Sequence, residues 1–439
     1  MPKPVRFMPQ MNTIAGISIG EIARQFGTPT FAYDEAMIRS RLADLQDFDV
    51  VRYAQKACSN LAILEILRQN GAKVDAVSAT EVRRGLAAGF SAGDEAGIVY
   101  TADIFDRDAL ELCVREGIHV NCGSLEMIRQ WSVEVARQGR TDLPRELTLR
   151  INPGFGHGHS QKTNTGGPLS KHGIWWEELP EAMEVAKNEG VTITGLHIHI
   201  GSGTDLEHLS QCCEAMKTLA LQVGKSVRTI SSGGGLPTVY REGDTYVDLK
   251  KYYGLWDAVR KDLEKTFGHA VTLEIEPGRY LVAESGYLVT EIRAVKRQGE
   301  NTFYLVDAGF NNLARPVLYG SYHPMFVCPA DGNVLENAEL RDVIVGGPLC
   351  ESGDIFTQEE GGFVQSRKLP EAKVGDYLVI GCAGAYGFVM GSNYNSKPYA
   401  AEVLLRRGEM LEIRRRQTFA QLIENERVPE VLLEKRERE

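Results

Sequence analysis

From about residue 50 onward, two patterns of apolar and polar positions alternate along the chain. Short runs rich in Val, Ile and Leu predict eight strands, at 50–55, 73–78, 98–101, 119–123, 146–152, 192–200, 227–231 and 271–276. Stretches with apolar residues three or four positions apart predict helices at 61–68, 80–88, 107–115, 125–137, 176–188, 206–223 and 249–266. Strands that alternate with helices of this length predict a parallel sheet.

The number and spacing of these units favour a closed barrel. Eight strand–helix units within about 230 residues fit a (β/α)8 TIM-like barrel, which typically takes about 250 residues. An open, doubly wound sheet of eight strands is the competing fold. Either way the chain is an α/β protein.

Beyond about residue 284 the alternation with helices stops. Runs at 287–295, 303–306, 343–345, 377–381 and 402–413 predict antiparallel strands, and 415–424 predicts a terminal helix. We therefore expect a barrel domain at 35–283 and a second, mostly antiparallel β domain at 284–439 that also takes in residues 1–34.

Composition narrows the class of protein. The 439 residues, 43% hydrophobic and 25% charged, are typical of a globular protein of two domains. No run of eighteen apolar residues predicts a membrane span, and a net charge of −10 without a basic stripe argues against nucleic acid as a partner. The eight cysteines form no C-x-x-C pair, so we expect neither a disulfide framework nor a zinc ribbon, and a cytoplasmic location.

Four segments with residues that could take part in binding or catalysis follow predicted barrel strands. Lys56 follows the first strand, His199 closes the sixth, the triplet Gly233, Gly234 and Gly235 follows the seventh, and Glu276 closes the eighth. Barrel enzymes build their sites from loops at this one face, often with a phosphate after strands seven and eight. An amine, a ring to stack, backbone amides for a phosphate and a carboxylate for a ring nitrogen are the groups that pyridoxal phosphate requires.

Each of these residues also has a plainer interpretation. A lysine after a strand is most often solvated, and a glycine cluster is often only a flexible turn. His197 and His199 point to the same side of their strand, and we interpret His197 as a core residue. No third ligand follows at metal spacing, so we expect no metal site. Glu276 would keep a pyridine nitrogen protonated, which favours loss of a carboxylate, whereas a racemase would tolerate an arginine there.

Longer motifs extend these observations over nearly the whole chain. They are Arg-Pro-Val-Leu-Tyr-Gly at 315–320, Gly-Pro-Leu-Cys-Glu-Ser-Gly-Asp at 347–354 and Ser-Asn-Tyr-Asn-Ser at 392–396. With them the chain resembles the diaminopimelate decarboxylases, fold-type III pyridoxal-phosphate enzymes related to ornithine decarboxylase and alanine racemase. Three positions differ from the commoner family pattern, Gln55, Cys58 and His172, and they bear on lid behaviour more than on activity.

The resemblance implies a set of site residues. The implied catalytic residues are Lys56, which carries the cofactor, His199, Glu276 and the proton donor Cys350. The implied cofactor contacts are Lys56, His199, Ser202, Gly233, Gly234, Gly235, Glu276, Pro277, Gly278, Arg279 and Tyr386. The implied substrate contacts are Arg279, Arg315, Tyr319, Glu351 and Tyr386. In such enzymes Cys350 and Glu351 reach the partner subunit's site, which implies a homodimer with shared active sites.

The expected reaction is the decarboxylation of meso-2,6-diaminopimelate to L-lysine and CO2, the last step of lysine biosynthesis. Diaminopimelate carries a distal ammonium and a distal carboxylate; Arg279 and Arg315 can hold the carboxylate, and Glu351 can pair with the ammonium. The alternatives are a decarboxylase of ornithine, lysine or carboxynorspermidine, an amino-acid racemase, and a catalytically silent regulator. The Gly- and His-rich segment 154–172 is expected to be a mobile loop over the site.

Overall fold

The computed structural model describes residue 7 and residues 10–93, 96–156, 165–199, 201, 206–334 and 338–433. The chain begins with a two-stranded antiparallel sheet, a helix and a longer strand. These elements are β1 (Thr13–Ile14), β2 (Ile17–Ser18), α1 (Ile19–Phe26) and β3 (Thr30–Asp34). Within the described residues, no helix combines the length and the apolar character needed to cross a bilayer.

A parallel sheet follows, with helices between its strands. Its strands are β4 (Val50–Ala54), β5 (Lys73–Ala76), β6 (Ile98–Ala102), β7 (His119–Cys122), β8 (Glu146–Asn152), β9 (Ile174–Trp175), β10 (Thr192–Ile198), β11 (Thr229–Ser231) and β12 (Thr272–Ile275). The helices are α2 (Glu35–Ala43), α3 (Leu61–Gln69), α4 (Ala79–Ala87), α5 (Arg107–Glu116), α6 (Leu125–Arg137), α7 (Leu179–Asn188), α8 (Leu206–Val223), α9 (Leu249–Phe267) and α10 (Arg279–Val282).

The parallel sheet closes on itself. Strands β4 to β8 pair in order, β8 pairs with β10, and β12 returns to β4 through the pairs Glu274–Val50 and Ile275–Val51. The short strand β9 lies outside this ring and pairs only with β8 among the described residues. The predicted eight-stranded barrel is therefore confirmed, and the open doubly wound sheet is excluded.

Local sequence explains why helices begin where strands end. Asp34, Asn60, Ser78 and Asp106 each cap a helix by accepting a backbone N–H of its first turn through the side-chain oxygen. The strands themselves are buried, as expected for a parallel sheet covered on both faces. Several of them also carry buried polar side chains, among them Arg52, Thr148 and Glu274.

The rest of the chain forms a second, nine-stranded sheet. Its elements are β13 (Gly286–Gln298), β14 (Asn301–Val306), α11 (Arg315–Tyr319), β15 (Met325–Cys328), β16 (Leu340–Gly346), β17 (Arg367–Pro370), β18 (Tyr377–Ile380), β19 (Ala401–Arg406), β20 (Glu409–Arg414), α12 (Phe419–Ile423) and α13 (Glu430–Leu433). The strand order is β17-β16-β14-β13-β3-β19-β20, with β18 between β13 and β15. Only β3–β19 and β14–β16 are parallel among the described pairs, so the mostly antiparallel second sheet is confirmed.

The expected terminal helix at 415–424 is shorter than its sequence suggested. It begins at Phe419, after a capping box in which Thr418 and Gln421 satisfy each other's backbone N–H groups. The domain boundaries at residues 35 and 284 stay a prediction, although β3 pairs with both β13 and β19 of the second sheet.

Candidate active site

A cavity of about 710 Å³ opens where the carboxyl ends of the barrel strands face the second sheet. Its lining includes most of the residues singled out from the sequence: Lys56, His199, Gly234, Gly235, Glu276, Gly278, Arg279, Arg315, Tyr319 and Tyr386. Ser202 lies outside the described residues. Residues 157–164, the centre of the expected mobile loop, lie outside them as well. The described ends of that loop are anchored, because Asn152 bonds to Gly167 O and His172 Nδ1 lies 2.6 Å from Asp103.

Lys56 lies in a single 3₁₀ turn, Gln55–Ala57, that follows β4, and its side chain is exposed to the cavity. Two neighbouring segments hold this turn. Tyr386 N donates to Ala57 O at 2.8 Å, and Ala54 N donates to Pro277 O at 3.2 Å. The turn that carries the lysine therefore packs directly against the Pro-Gly segment that follows Glu276.

Gly278 makes this close packing possible. A Cβ atom at Gly278 would lie 3.2 Å from both Ala54 O and Ala57 Cβ. Any larger residue would push the two turns apart. Pro277 does not itself line the cavity within the described structure, so its position favours a supporting role over direct cofactor contact.

Glu276 is 5% exposed and bound on both carboxylate oxygens. His197 Nε2 lies 2.6 Å from Oε2, and Ser231 Oγ donates to Oε1 at 3.1 Å. Burial alone would raise the pKa of Glu276, but the charge and hydrogen bond of His197, with the nearby Arg52 guanidinium, hold it below its ordinary value. His197 is buried as expected, yet it also has a polar role that the sequence did not reveal.

The imidazole of His199 is neutral. Burial, together with the nearby Arg150 and Lys56, lowers its pKa well below the ordinary value. Gly234 N donates to Nδ1 at 3.1 Å, so the ring proton lies on Nε2. A neutral ring at the cavity wall can stack on a flat heteroaromatic ligand without adding charge.

The glycine triplet is only partly available to a ligand. Gly233 does not line the cavity, and its N–H donates to Ser231 Oγ at 3.2 Å. The Gly234 N–H is taken by His199. Gly235, with φ +99°, lies so close to the preceding loop that a Cβ atom would be 2.1 Å from Gly201 O. The N–H groups of Gly233 and Gly234 thus have protein partners in this structure, and the assignment of all three glycines to the phosphate stays a prediction.

Two arginines lie side by side in the cavity wall. Arg279 and Arg315 each donate through Nη1 to the Tyr240 hydroxyl, at 3.0 and 3.1 Å, and both lie over its ring. Arg315 also donates to His323 Nε2 at 3.0 Å, and Arg279 lies over the Tyr386 ring. Neither arginine forms an ion pair with any acid in the part of the chain that the structure describes.

The structure adds Asp75 and Arg150 to the cavity. Asp75 is the next-to-last residue of β5, and burial together with the charge of Glu276 raises its pKa. Its Oδ1 has no hydrogen-bond partner among the described residues. An acid between the apolar residues Val74 and Ala76 of a buried strand was the only signal for it, and the sequence interpretation missed it.

Below the cavity, Arg52 and Glu274 form a buried pair inside the barrel. Nε and Nη2 of Arg52 donate to the two carboxylate oxygens at 2.7 and 2.8 Å. Glu276 directly follows β12 and lies two positions after Glu274, so both side chains point to the same side of the chain. The Arg52 charge therefore acts on both acids.

Cys350 and Glu351, both in the described part of the chain, do not line the cavity of their own subunit. They lie in the connection between β16 and β17, and both are exposed. Asn395 Oδ1 accepts the Cys350 N–H at 2.7 Å, and Gly353 N donates to Glu351 Oε1 at 3.2 Å. Within a single chain the structure does not bring these two residues together with Lys56.

The residues present fit pyridoxal phosphate. The cavity offers one amine, a neutral imidazole and a carboxylate held in its charged form, and Gly235 leaves no room for a side chain beside it. Buried polar atoms without a partner, Asp75 Oδ1 and Arg279 Nε, point to a polar ligand in the same space.

Comparisons with known proteins agree with this geometry. Residues 36–283 match the family model described as "Pyridoxal-dependent decarboxylase, pyridoxal binding domain". The diaminopimelate decarboxylase of Escherichia coli strain K12 is 51% identical over 91% of this chain and 94% of its own length. That of Streptomyces coelicolor is 49% identical over 94% of this chain and 92% of its own length.

Solved structures give the same answer. A crystal structure of a diaminopimelate decarboxylase superimposes with a TM-score of 0.87 at 50% identity, covering 92% of this chain and 95% of the other. The Helicobacter pylori diaminopimelate decarboxylase complexed with L-lysine gives 0.78 at 29% identity, covering 95% and 99%.

A pyridoxal-binding barrel joined to this second sheet defines a pyridoxal-phosphate-dependent decarboxylase of fold type III. Within that class, the chain belongs to the diaminopimelate decarboxylase family. The predicted family and the predicted cofactor are both confirmed.

Proposed function

We propose that the protein is a carboxy-lyase that converts meso-2,6-diaminopimelate to L-lysine and CO2, the last step of lysine biosynthesis. One observation carries the choice of substrate. The cavity that holds Lys56 and Glu276 also presents Arg279 and Arg315, two guanidinium groups without an acidic partner among the described residues. A substrate with a second carboxylate satisfies both, whereas ornithine leaves them unpaired.

Pyridoxal phosphate, when bound, supplies an electrophilic aldehyde and a pyridine ring that accepts the electron pair left by the departing carboxylate. Lys56 would supply the amine that holds the cofactor through its aldehyde. Glu276, ionised and fixed by His197 and Ser231, keeps a proton on the ring nitrogen. His199 would stack on the ring, and Gly235, Arg279 and Tyr386 would help to hold the phosphate.

The substrate-binding residues follow from charge and reach. Arg279 and Arg315 bind the distal carboxylate, with Tyr319 and Tyr386 beside them at the cavity wall. Glu351 pairs with the distal ammonium. Cys350 delivers the proton to the carbon that loses CO2, because a thiol can act as a general acid near neutral pH.

The last two assignments require a second subunit. Cys350 and Glu351 are exposed, and neither lines the cavity of its own chain in the described structure. A twofold homodimer in which each chain places this loop in the other chain's cavity completes both sites. The cytoplasm is the proposed location, since all eight cysteines, each within the described residues, are free thiols.

Release of CO2 from defined substrates tests the reaction. Purified holoenzyme should release CO2 from meso-diaminopimelate and form lysine, with far slower release from ornithine, lysine and carboxynorspermidine. Faster release from any of these three would refute the choice of substrate. Exchange of deuterium at Cα without CO2 release would point to a racemase.

Mixed dimers test the shared site. Lys56→Ala and Cys350→Ala homodimers should each be nearly inactive. After the two variants are mixed and allowed to exchange subunits, about a quarter of wild-type activity should return, because one site in each mixed dimer is intact. Failure of activity to return, with subunit exchange demonstrated by mass spectrometry, would contradict the shared site.

A further inference from the structure

We propose that His323 is a positioning residue that makes the cavity selective for ligands with a distal carboxylate, by holding Arg315 through a neutral acceptor. The inference rests on the proposed function and names a residue that neither the sequence motifs nor the cavity lining brought forward. His323 lies between α11 and β15, in the connection from the barrel-facing arginine to the second sheet.

The geometry assigns the tautomer of His323. Its side chain is 1% exposed, and Nδ1 lies 3.0 Å from Gly381 O, which can only accept. Nδ1 therefore carries the proton, and Nε2 is left as an acceptor for Arg315 Nη1 at 3.0 Å. Burial and the neighbouring Arg315 lower the pKa of His323 well below its ordinary value, so the ring stays neutral.

Two other arginines of the chain, the buried Arg52 and the half-buried Arg41, are held in a different way. Arg52 forms two hydrogen bonds to Glu274, and Arg41 pairs with Glu284 at 2.7 Å. Both positive charges are thereby cancelled inside the protein. Arg315 is 6% exposed, close to the 4% of Arg52, yet its two acceptors are the Tyr240 hydroxyl and the His323 ring.

Neutral acceptors fix the orientation of a guanidinium without neutralising its positive charge. No acid is bonded to Arg315 among the described residues, and burial together with the adjacent Arg279 lowers its pKa, so its buried charge is not compensated within the chain. A ligand carboxylate supplies the negative charge and gains a charge-assisted, bidentate partner. A ligand that carries only an ammonium at the same end gains nothing and meets two positive charges.

Replacing the imidazole of His323 by a carboxylate tests whether the orientation of Arg315 or its unpaired charge determines selectivity. His323→Glu should hold Arg315 in place as an ion pair but cancel its charge. His323→Gln is the matched control, because its amide oxygen can accept from Arg315 while its N–H donates to Gly381 O. His323→Leu removes the hydrogen-bond acceptor of Arg315 altogether. It replaces His323→Glu as the test variant if the glutamate variant does not fold.

The ligands for the test are L-lysine and 1,5-diaminopentane, which differ only by the carboxylate. Their dissociation constants for each holoenzyme are measured by calorimetry, alongside cofactor content from visible absorbance and melting temperature. For His323→Glu we expect lysine to bind roughly tenfold to hundredfold more weakly, the range for one lost charge-assisted hydrogen bond. Binding of 1,5-diaminopentane, cofactor content and melting temperature should be unchanged, and His323→Gln should resemble the wild type.

The outcomes that overturn the inference are distinct. Unchanged lysine affinity in His323→Glu, or equal weakening of both ligands, would show that His323 does not set selectivity. Loss of cofactor instead of lysine would show that Arg315 serves the cofactor phosphate and not the distal carboxylate. A wild-type holoenzyme that does not decarboxylate diaminopimelate would refute the proposed function itself, whatever the variants do.

Discussion

Replacement of His197 by leucine tests how the protein keeps Glu276 charged. The two side chains are 1% and 5% exposed, and their atoms Nε2 and Oε2 lie 2.6 Å apart. Leucine fills similar space but donates no hydrogen bond. The carboxylate then keeps Ser231 as its remaining hydrogen-bond donor among the described residues.

The size of the effect follows from this contact. A hydrogen bond to a charged group contributes about 1.5–3 kcal/mol, and one pKa unit corresponds to about 1.4 kcal/mol. Losing the bond should therefore raise the pKa of Glu276 by roughly one to two units. In the wild type this pKa is depressed, so the ionised acid stabilises the fold above its unfolded pKa, and that stability is lost as pH falls through the folded pKa.

The assay is nitrogen-15 NMR of the holoenzyme loaded with ring-labelled pyridoxal phosphate. In the wild type the ring nitrogen should have the chemical shift of a protonated pyridinium across neutral pH. In His197→Leu it should move toward the unprotonated value, and kcat should fall while cofactor remains bound. His197→Gln, which keeps an N–H donor, is the control and should stay close to the wild type.

The opposite result is equally clear. If His197→Leu has the same nitrogen shift and the same kcat as the wild type from pH 6 to pH 8, Glu276 does not depend on His197. A fall in melting temperature alone, without a change of nitrogen shift, would mean that His197 is only a packing residue.

Three further substitutions have defined outcomes. Lys56→Ala should bind cofactor without the visible absorption band of the covalently held form, and retention of that band would contradict its role. Arg52→Met should lower the free energy of unfolding by about 3–5 kcal/mol in urea, because it leaves Glu274 buried and unpaired, while the double variant with Glu274→Met should recover most of it. Gly235→Ala should weaken cofactor binding to the apoenzyme at least about tenfold by fluorescence titration, since its Cβ atom would meet Gly201 O and force the loop apart.

Much of the barrel was predictable because the alternation of strand and helix patterns repeats along the chain. Each of the eight predicted strands is present, and most ends agree within two residues. Strands β3, β15 and β17 were missed, since each has only four or five residues and pairs with a distant segment. The terminal helix was placed too early because the Arg416 guanidinium donates to Phe26 O and Pro29 O, which holds that stretch in a non-helical conformation.

The site was predictable where chemistry coincides with a strand end. Lys56, His199 and Glu276 satisfy that condition, and they share one cavity. Tyr240 and His323 do not satisfy it. Tyr240 contacts an arginine 75 residues further along the chain, and that contact forms only when the segment around α11 packs on the barrel. His323 contacts Arg315 eight residues earlier, across the end of a short helix that the sequence pattern did not predict.

The central place of β3 in the second sheet affects the order in which the protein folds during its synthesis. Thr30 pairs with Val289 on one side and with Ala401 on the other. At ordinary rates of translation, roughly 20 to 75 s pass between synthesis of the first and the last of these residues. The barrel can close on the ribosome meanwhile, while an apolar segment with an open backbone edge waits for its partners. Native yield in cell-free translation should therefore respond to chaperones that shield this segment.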